Sequence, residues 1–308
     1  MKEQKFYQVD VFTDRAFGGN PLAVFPHAEG LTDTEMQALA REMNLSETTF
    51  VLPAERDEAD FKVRIFTPKV ELPFAGHPVV GTHWVLAHLG MVKLREPVTR
   101  VKLELGVGVL PGDLLVAGGR VASVVMTQKT PTFHKTLDDV SNLAAGLNIP
   151  PEAIASSPAR PVQVVSTGMA QMMVPIRSLA EVQGLDVANM DVSILNRVCQ
   201  SLDTQLIMVF STETQRPEAT VHARAFCHLV GIPEDPATGS ASGAMGAYLV
   251  RHRVVPIDRP TVEIQSEQGL EMGRPSKITV SVDHVNGEPT VVRVSGKTVL
   301  VVEGVARF

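Results

Sequence analysis

Between residues 61 and 66 apolar and polar side chains alternate. Phe61, Val63 and Ile65 interleave with Lys62 and Arg64, a period of two that predicts a strand with one buried face. Upstream the spacing becomes helical, with Met36, Leu39, Ala40 and Met43 behind a Thr32 that can cap the helix and a Glu35 that can reach back to it. Apolar runs at residues 6–12, 22–25 and 48–52 predict further strands, and Gly18-Gly19-Asn20-Pro21 predicts a turn between the first two. Gly76-His77-Pro78 opens a second helix, predicted to run to about residue 89.

The same order returns in the second half. After Gly168 the pattern predicts a strand near residues 172–176, a helix near 192–201, strands at 205–210 and 220–226, and a helix from Gly239-Ser240 to about residue 250. Arg64-x-Phe66 ahead of the first glycine-turn helix is echoed by Arg224-x-Phe226 ahead of the second. Matching order and matching landmarks predict an α/β (α+β) chain of two pseudo-symmetric halves, residues 1–130 and 131–308, with the polar stretch 127–135 as linker. The small residues at 239–247 would let strands close tightly around a central helix. Two equivalent helix starts would converge on a cleft between the halves, the kind of place where small-molecule sites form.

Composition narrows the partners. A formal charge of −6 leaves no positive excess to neutralise a phosphate backbone, so nucleic acid is not expected. Residues 1–11 are too charged for a signal peptide, and no apolar run reaches the roughly 18 residues of a membrane span, so a cytoplasmic protein without membrane contact is the expectation. Two cysteines, Cys199 and Cys227, exclude a disulfide framework and a cysteine-rich zinc site. Histidine spacings give no metal motif. Gly106-Val107-Gly108 fails as a dinucleotide fingerprint, because Gly112 falls one position late and no helix follows. Gly296-Lys297-Thr298 lacks the first glycine of a phosphate loop, position 291 being Val, and reads as a hairpin turn. Neither cofactor nor metal is expected.

Three segments combine turn residues with titratable groups: 41–51, with Asn44-Leu45-Ser46-Glu47; 66–78, with Gly76-His77-Pro78; and 234–241, with Asp235-Pro236-Ala237-Thr238-Gly239-Ser240. Together with Gly19-Asn20-Pro21 and Gln268-Gly269-x-Glu271-Met272-Gly273-Arg274-Pro275-Ser276, they resemble the PhzF (phenazine biosynthesis-like) family along essentially the whole chain. The resemblance implies a diaminopimelate-epimerase-like fold, each half a β-barrel-like sheet around a central helix, paired into homodimers. It also implies a cofactor-free isomerase of a small carboxylate-bearing substrate, whose phenazine-pathway member shifts a proton within a dihydro-hydroxyanthranilate. On that basis Glu47 is the general acid/base, His77, Asp235 and Ser240 complete the catalytic set, and Asn20, Gly76, Thr238 and Gly239 bind substrate.

These residues also suit the chemistry on their own terms. A proton carrier between two carbons needs a pKa drawn toward neutrality, and the apolar run after Glu47 would desolvate its carboxylate and raise it. The bland alternative is an exposed strand-edge glutamate. At a helix start His77 is disfavoured as an imidazolium, although it could equally serve as a cap. Asp235 before Pro236 is also an ordinary turn former, and Ser240 an ordinary cap. Gly76-His77 and Gly239-Ser240 stand where the cysteine-dependent racemases of the wider fold place cysteines, which disfavours a two-cysteine racemase. Phe226-Cys227-His228 departs from the family's Phe-x-Pro, and Val70 from the polar residue expected before Glu71. The alternative function is a non-catalytic ligand-binding or scaffold protein of the same fold.

Overall fold

The structure, a computed structural model, describes residues 1–308 apart from the side chain of Val230. Two units emerge, residues 1–127 with 295–308, and residues 128–294.

The first unit begins with β1 (Glu3–Val11), β2 (Asn20–Phe25), α1 (Asp33–Met43), β3 (Glu47–Leu52), β4 (Phe61–Phe66) and β5 (Glu71–Leu72). It continues with α2 (Gly76–His88), β6 (Val98–Leu105), β7 (Gly108–Ala117) and β8 (Arg120–Thr127). β1 and β2 are antiparallel, β2 and β3 parallel, β3 and β4 antiparallel, β4 and β6 parallel, and β6–β7–β8 antiparallel. Each parallel pair is joined through a helix, as a parallel connection requires. α2 is buried from His77 to Ala87 apart from the half-buried Trp84, the mark of a central helix. It packs on β1, β2, β7 and β8. Gly81 makes the approach possible: a Cβ there would lie 2.6 Å from Leu22 Cδ2 and 2.8 Å from Val11 Cγ2. α1 lies on the other face of the strands, its Thr32–Glu35 capping box formed as the spacing predicts. Met36, Leu39 and Ala40 cover a cluster in which Phe25 stacks on Phe50 at 5.0 Å and Phe50 meets Phe66 edge-on at 5.5 Å.

The second unit contains β9 (Thr132–Leu137), α3 (Ser141–Leu147), β10 (Val162–Ser166), β11 (Ala170–Pro175), α4 (Leu179–Gln183) and α5 (Val192–Ser201). There follow β12 (Ile207–Ser211), β13 (Val221–Cys227), β14 (Ile232–Asp235), α6 (Gly239–Arg251), β15 (Thr261–Gln268), β16 (Ser276–Val285) and β17 (Glu288–Gly296). β10–β11 is antiparallel, β11–β12 parallel, β12–β13 antiparallel, β13–β15 parallel and β15–β16 antiparallel. This repeats the pairing order of β1 through β7, so the repeat read in the sequence is a repeat of topology. α6 is the second central helix, and a Cβ on Gly246 would come within 2.6 Å of Val280 Cγ1 on β16. The echoed arginines take the same role in each unit. Arg64 lies 5.1 Å over the Phe66 ring and Arg224 5.3 Å over Phe226, each paired with a glutamate of the next short strand, Glu71 or Glu234.

The division at residue 130 needs correction at the end of the chain. The last strand, β18 (Thr298–Arg307), pairs antiparallel with β1 from Glu3–Arg307 to Val11–Thr298, which assigns it to the first unit. The stretch expected to link the halves is also partly regular, since β9 starts within it and pairs with β10. At Gly296-Lys297-Thr298 the Lys297 carbonyl accepts the N–H groups of Phe12 (2.8 Å) and Thr13 (3.2 Å), which docks the end of the chain onto the first unit.

Candidate active site

Glu47, the first residue of β3, is buried and stands opposite Leu22 of β2. Its Oε2 lies 3.4 Å from Nε2 of His77, the second residue of α2, and the two side chains are 11% and 7% exposed. Thr49 Oγ1 of β3 and Thr82 Oγ1 of α2, 2.9 Å apart, hold the strand to the helix and so set this approach. Burial drives the His77 pKa down to about 3, outweighing a hydrogen bond from the ring to the Pro21 carbonyl, and the imidazole is neutral at physiological pH. A carbonyl only accepts, and Nε2 has no hydrogen bond of standard geometry among the described residues, so the ring proton is assigned to Nδ1. The lone pair on Nε2 then faces Glu47. It can accept a hydrogen bond from a protonated Glu47 carboxyl, and it has no proton to donate to the carboxylate.

The neighbouring turn is built for this contact. Gly19 has φ +58°, and a Cβ would lie 2.1 Å from the Val11 carbonyl oxygen, so glycine is required there. It delivers Asn20, fully buried at the start of β2, and then Pro21, whose carbonyl holds His77. Ala75 rather than His77 occupies the cap position of α2, and no side chain caps this helix. The first unit thus gathers Asn20, Glu47, Gly76 and His77.

In the second unit Asp235 ends β14 and is buried. Its Oδ2 accepts the Thr238 hydroxyl. Gln268 Nε2 donates to the Asp235 carbonyl at 2.7 Å and to Thr238 Oγ1 at 3.0 Å, while Gln268 Oε1 accepts the Thr238 N–H at 3.1 Å. Thr238 is the cap residue of α6, Gly239 its first residue, and Ser240 the second. Ser240 therefore does not cap the helix; its Oγ accepts Gln171 Nε2 of β11 at 3.1 Å. Asp235, Thr238, Gly239 and Ser240 are gathered here.

Gln171 and Gln268 carry this second cluster without having been singled out as site residues. The available signal is a lone amide in an apolar strand: Gln171 is 1% exposed between Ala170 and Met172. Other candidates take ordinary places. Cys199 is packed in α5, its thiol pushed up to about 11 by burial, which makes it unreactive. His228 stacks on Phe226, ring centroids 6.4 Å apart, and burial lowers its pKa. Among the described residues no group of three or more His, Cys, Asp or Glu is placed to hold a metal ion. A surface hollow of about 550 Å³ between Asp60, Lys93, Arg95 and Arg100 contains none of the candidate residues.

The two-unit architecture, with its central helices, is the diaminopimelate-epimerase-like fold, and the chain is an isomerase. It belongs to the phenazine biosynthesis-like (PhzC-PhzF) family, whose profile matches residues 9–304. It is 34% identical to an uncharacterized isomerase of Clostridium acetobutylicum, over 98% of this chain and 97% of that protein. It is 32% identical to trans-2,3-dihydro-3-hydroxyanthranilate isomerase of Pseudomonas aeruginosa, over 97% of this chain and 98% of the other. A crystal structure of a PhzF-family protein from Bacillus anthracis covers all of both chains with a TM-score of 0.87 at 28% identity.

Proposed function

We propose that this isomerase works without a cofactor, moving a proton by general acid/base catalysis on a small carboxylate-bearing substrate of the dihydro-hydroxyanthranilate type. The observation that carries the reading is the buried 3.4 Å approach of the Glu47 carboxyl to His77, whose pKa burial lowers. Glu47 takes a proton from one substrate carbon and returns it to another. His77 accepts a hydrogen bond from the carboxyl in its protonated form and releases it when the proton is delivered. Asp235 and Ser240 are assigned to the same reaction, and Asn20, Gly76, Thr238 and Gly239 to substrate binding, with glycine at each helix start leaving backbone N–H groups open to a carboxylate. A homodimer in the cytoplasm completes the proposal, the oligomer being measurable by light scattering.

The reaction is tested by incubating the protein with trans-2,3-dihydro-3-hydroxyanthranilate in deuterated water and following the carbon-bound hydrogens by NMR. Deuterium entering carbon in the wild type and not in Glu47→Gln supports the proposal. Isomerisation that continues near the parental rate in Glu47→Gln removes Glu47 from the mechanism. A chain that binds this ligand with neither exchange nor isomerisation is instead a non-catalytic binding protein.

A further inference from the structure

Outside the candidate site a cluster of buried titratable groups surrounds His222 on β13. Its side chain is fully enclosed, with Nδ1 2.8 Å from Glu267 Oε1 and Nε2 2.8 Å from Glu271 Oε1. A carboxylate accepts and does not donate, so a ring facing one at each nitrogen is satisfied only as the imidazolium, with both nitrogens protonated. Burial opposes that charge, but the hydrogen bonds and charges of Glu271 and Glu267 outweigh it and raise the His222 pKa above the ordinary histidine value. For Glu271 burial is likewise outweighed, by His222, then by its own backbone N–H and by Arg224, and its pKa is lowered.

The two glutamates have different attachments. Glu267, on β15, also accepts the N–H groups of Gln215 (2.6 Å) and Arg216 (3.1 Å). The first unit has an equivalent: Glu104 accepts the N–H groups of Glu55 (2.8 Å) and Arg56 (3.1 Å), and faces Lys62 as Glu267 faces His222. Lys62, however, turns to Glu55 at 2.6 Å. What the second unit adds is a ring that reaches a second carboxylate, Glu271, in the segment between β15 and β16.

That segment rests on the Asp235–Thr238 turn. A Cβ on Gly269 would lie 2.5 Å from both the Pro236 and Arg274 carbonyl oxygens. Ser276 Oγ is 2.9 Å from the Gln268 carbonyl and 3.3 Å from that of Pro236, and the Gln268 amide bonds Asp235 and Thr238. We infer that His222 is a positioning residue, a charged clasp between Glu267 and Glu271 that holds residues 268–276 against the Asp235–Thr238 turn and thereby sets the first turn of α6. The inference rests on the proposed function only in giving that turn a role in substrate binding.

Of the other charged neighbours, Arg224 also acts on Glu271 through its charge. Across β12 the residue opposite His222 is Ser211, which is uncharged. On β13 itself Arg224 is paired with Glu234 of β14, on α4 Glu181 is paired with Arg177, and Asp235 of β14 accepts Thr238. Raising the pH through the His222 pKa removes one N–H donor, and one glutamate loses its bond. Glu267 keeps its two backbone donors, so it is the Glu271 side that is expected to loosen.

Amide hydrogen exchange on the full-length protein tests this, read as protection factors between pH 6 and 9.5 for peptides covering residues 235–242 and 268–276. In the wild type both are expected to lose protection together as His222, followed by imidazole NMR, gives up its proton. Glu271→Gln should cut their protection at least tenfold at pH 6 and shift the His222 midpoint downward. His222→Gln should abolish the pH dependence. Protection in 268–276 that is indifferent to His222 titration, or that changes in Glu271→Gln only in parallel with the whole chain, overturns the inference. Exchange is read without turnover, and Glu47→Gln should leave these peptides unchanged, so the clasp and the catalytic proposal fail independently.

Discussion

His77 shows how far burial alone can tune a side chain. Burial lowers the His77 pKa to about 3, so the ring is neutral at physiological pH, and its Pro21 carbonyl partner needs only a neutral N–H. Replacing Glu47 by Gln keeps the shape and removes the proton acceptor. The expected loss in isomerisation rate is about 10²-fold to 10⁴-fold with a melting temperature near that of the wild type, checked by product formation and calorimetry. His77 makes a separate expectation for stability. Its folded pKa of about 3 lies below the unfolded value of about 6.5, so between these limits the unfolded chain binds the extra proton and stability falls as the pH falls. At 1.36 kcal/mol per pH unit the wild type should lose roughly 2 kcal/mol between pH 6.5 and 5 from this residue. Urea unfolding at the two pH values should show a smaller loss in His77→Asn.

At the scale of elements, the two central helices depend on what their glycines lack. In α6 a methyl on Gly246 would meet Val280 Cγ1 at 2.6 Å, on a face where strand and helix are both fully packed. Gly246→Ala is expected to destabilise by about 1–3 kcal/mol, seen as a lower urea midpoint at unchanged slope. The glycines at the helix starts have a different use. Gly76→Val and Gly239→Val should weaken binding of a carboxylate ligand far more than loss of a surface lysine such as Lys135, measured by titration calorimetry, because their backbone N–H groups become shielded. An unchanged affinity in both variants would move the carboxylate elsewhere.

For the molecule as a whole, β18 decides how the chain is partitioned. It supplies β1 with a partner along nearly its full length, so removing residues 298–308 exposes a long strand edge in the first unit. The truncated chain is expected to lose the folded signal of Trp84, the single tryptophan, which lies in α2 of that unit. Trp84 emission that stays at the wild-type wavelength would show that the first unit holds without β18.

Much of this fold was legible locally. The capping box at Thr32–Glu35, the period-two strand at Phe61–Phe66 and the helix starts at Gly76 and Gly239 appear where the spacing predicts them, because caps, turns and periodicity are properties of a few adjacent residues. The motifs around Glu47, His77 and Asp235 were legible too, as strings, and they pointed to the family. Sequence alone therefore determined the elements that carry the motifs, their repeated order and the kind of protein they form. Tertiary structure decided that Glu47 meets His77, that Gln171 and Gln268 brace the second cluster, that His222 lies between two glutamates and that β18 returns to β1. Each of these joins residues distant along the chain, and such pairs are fixed only when strand register and helix packing bring them into contact.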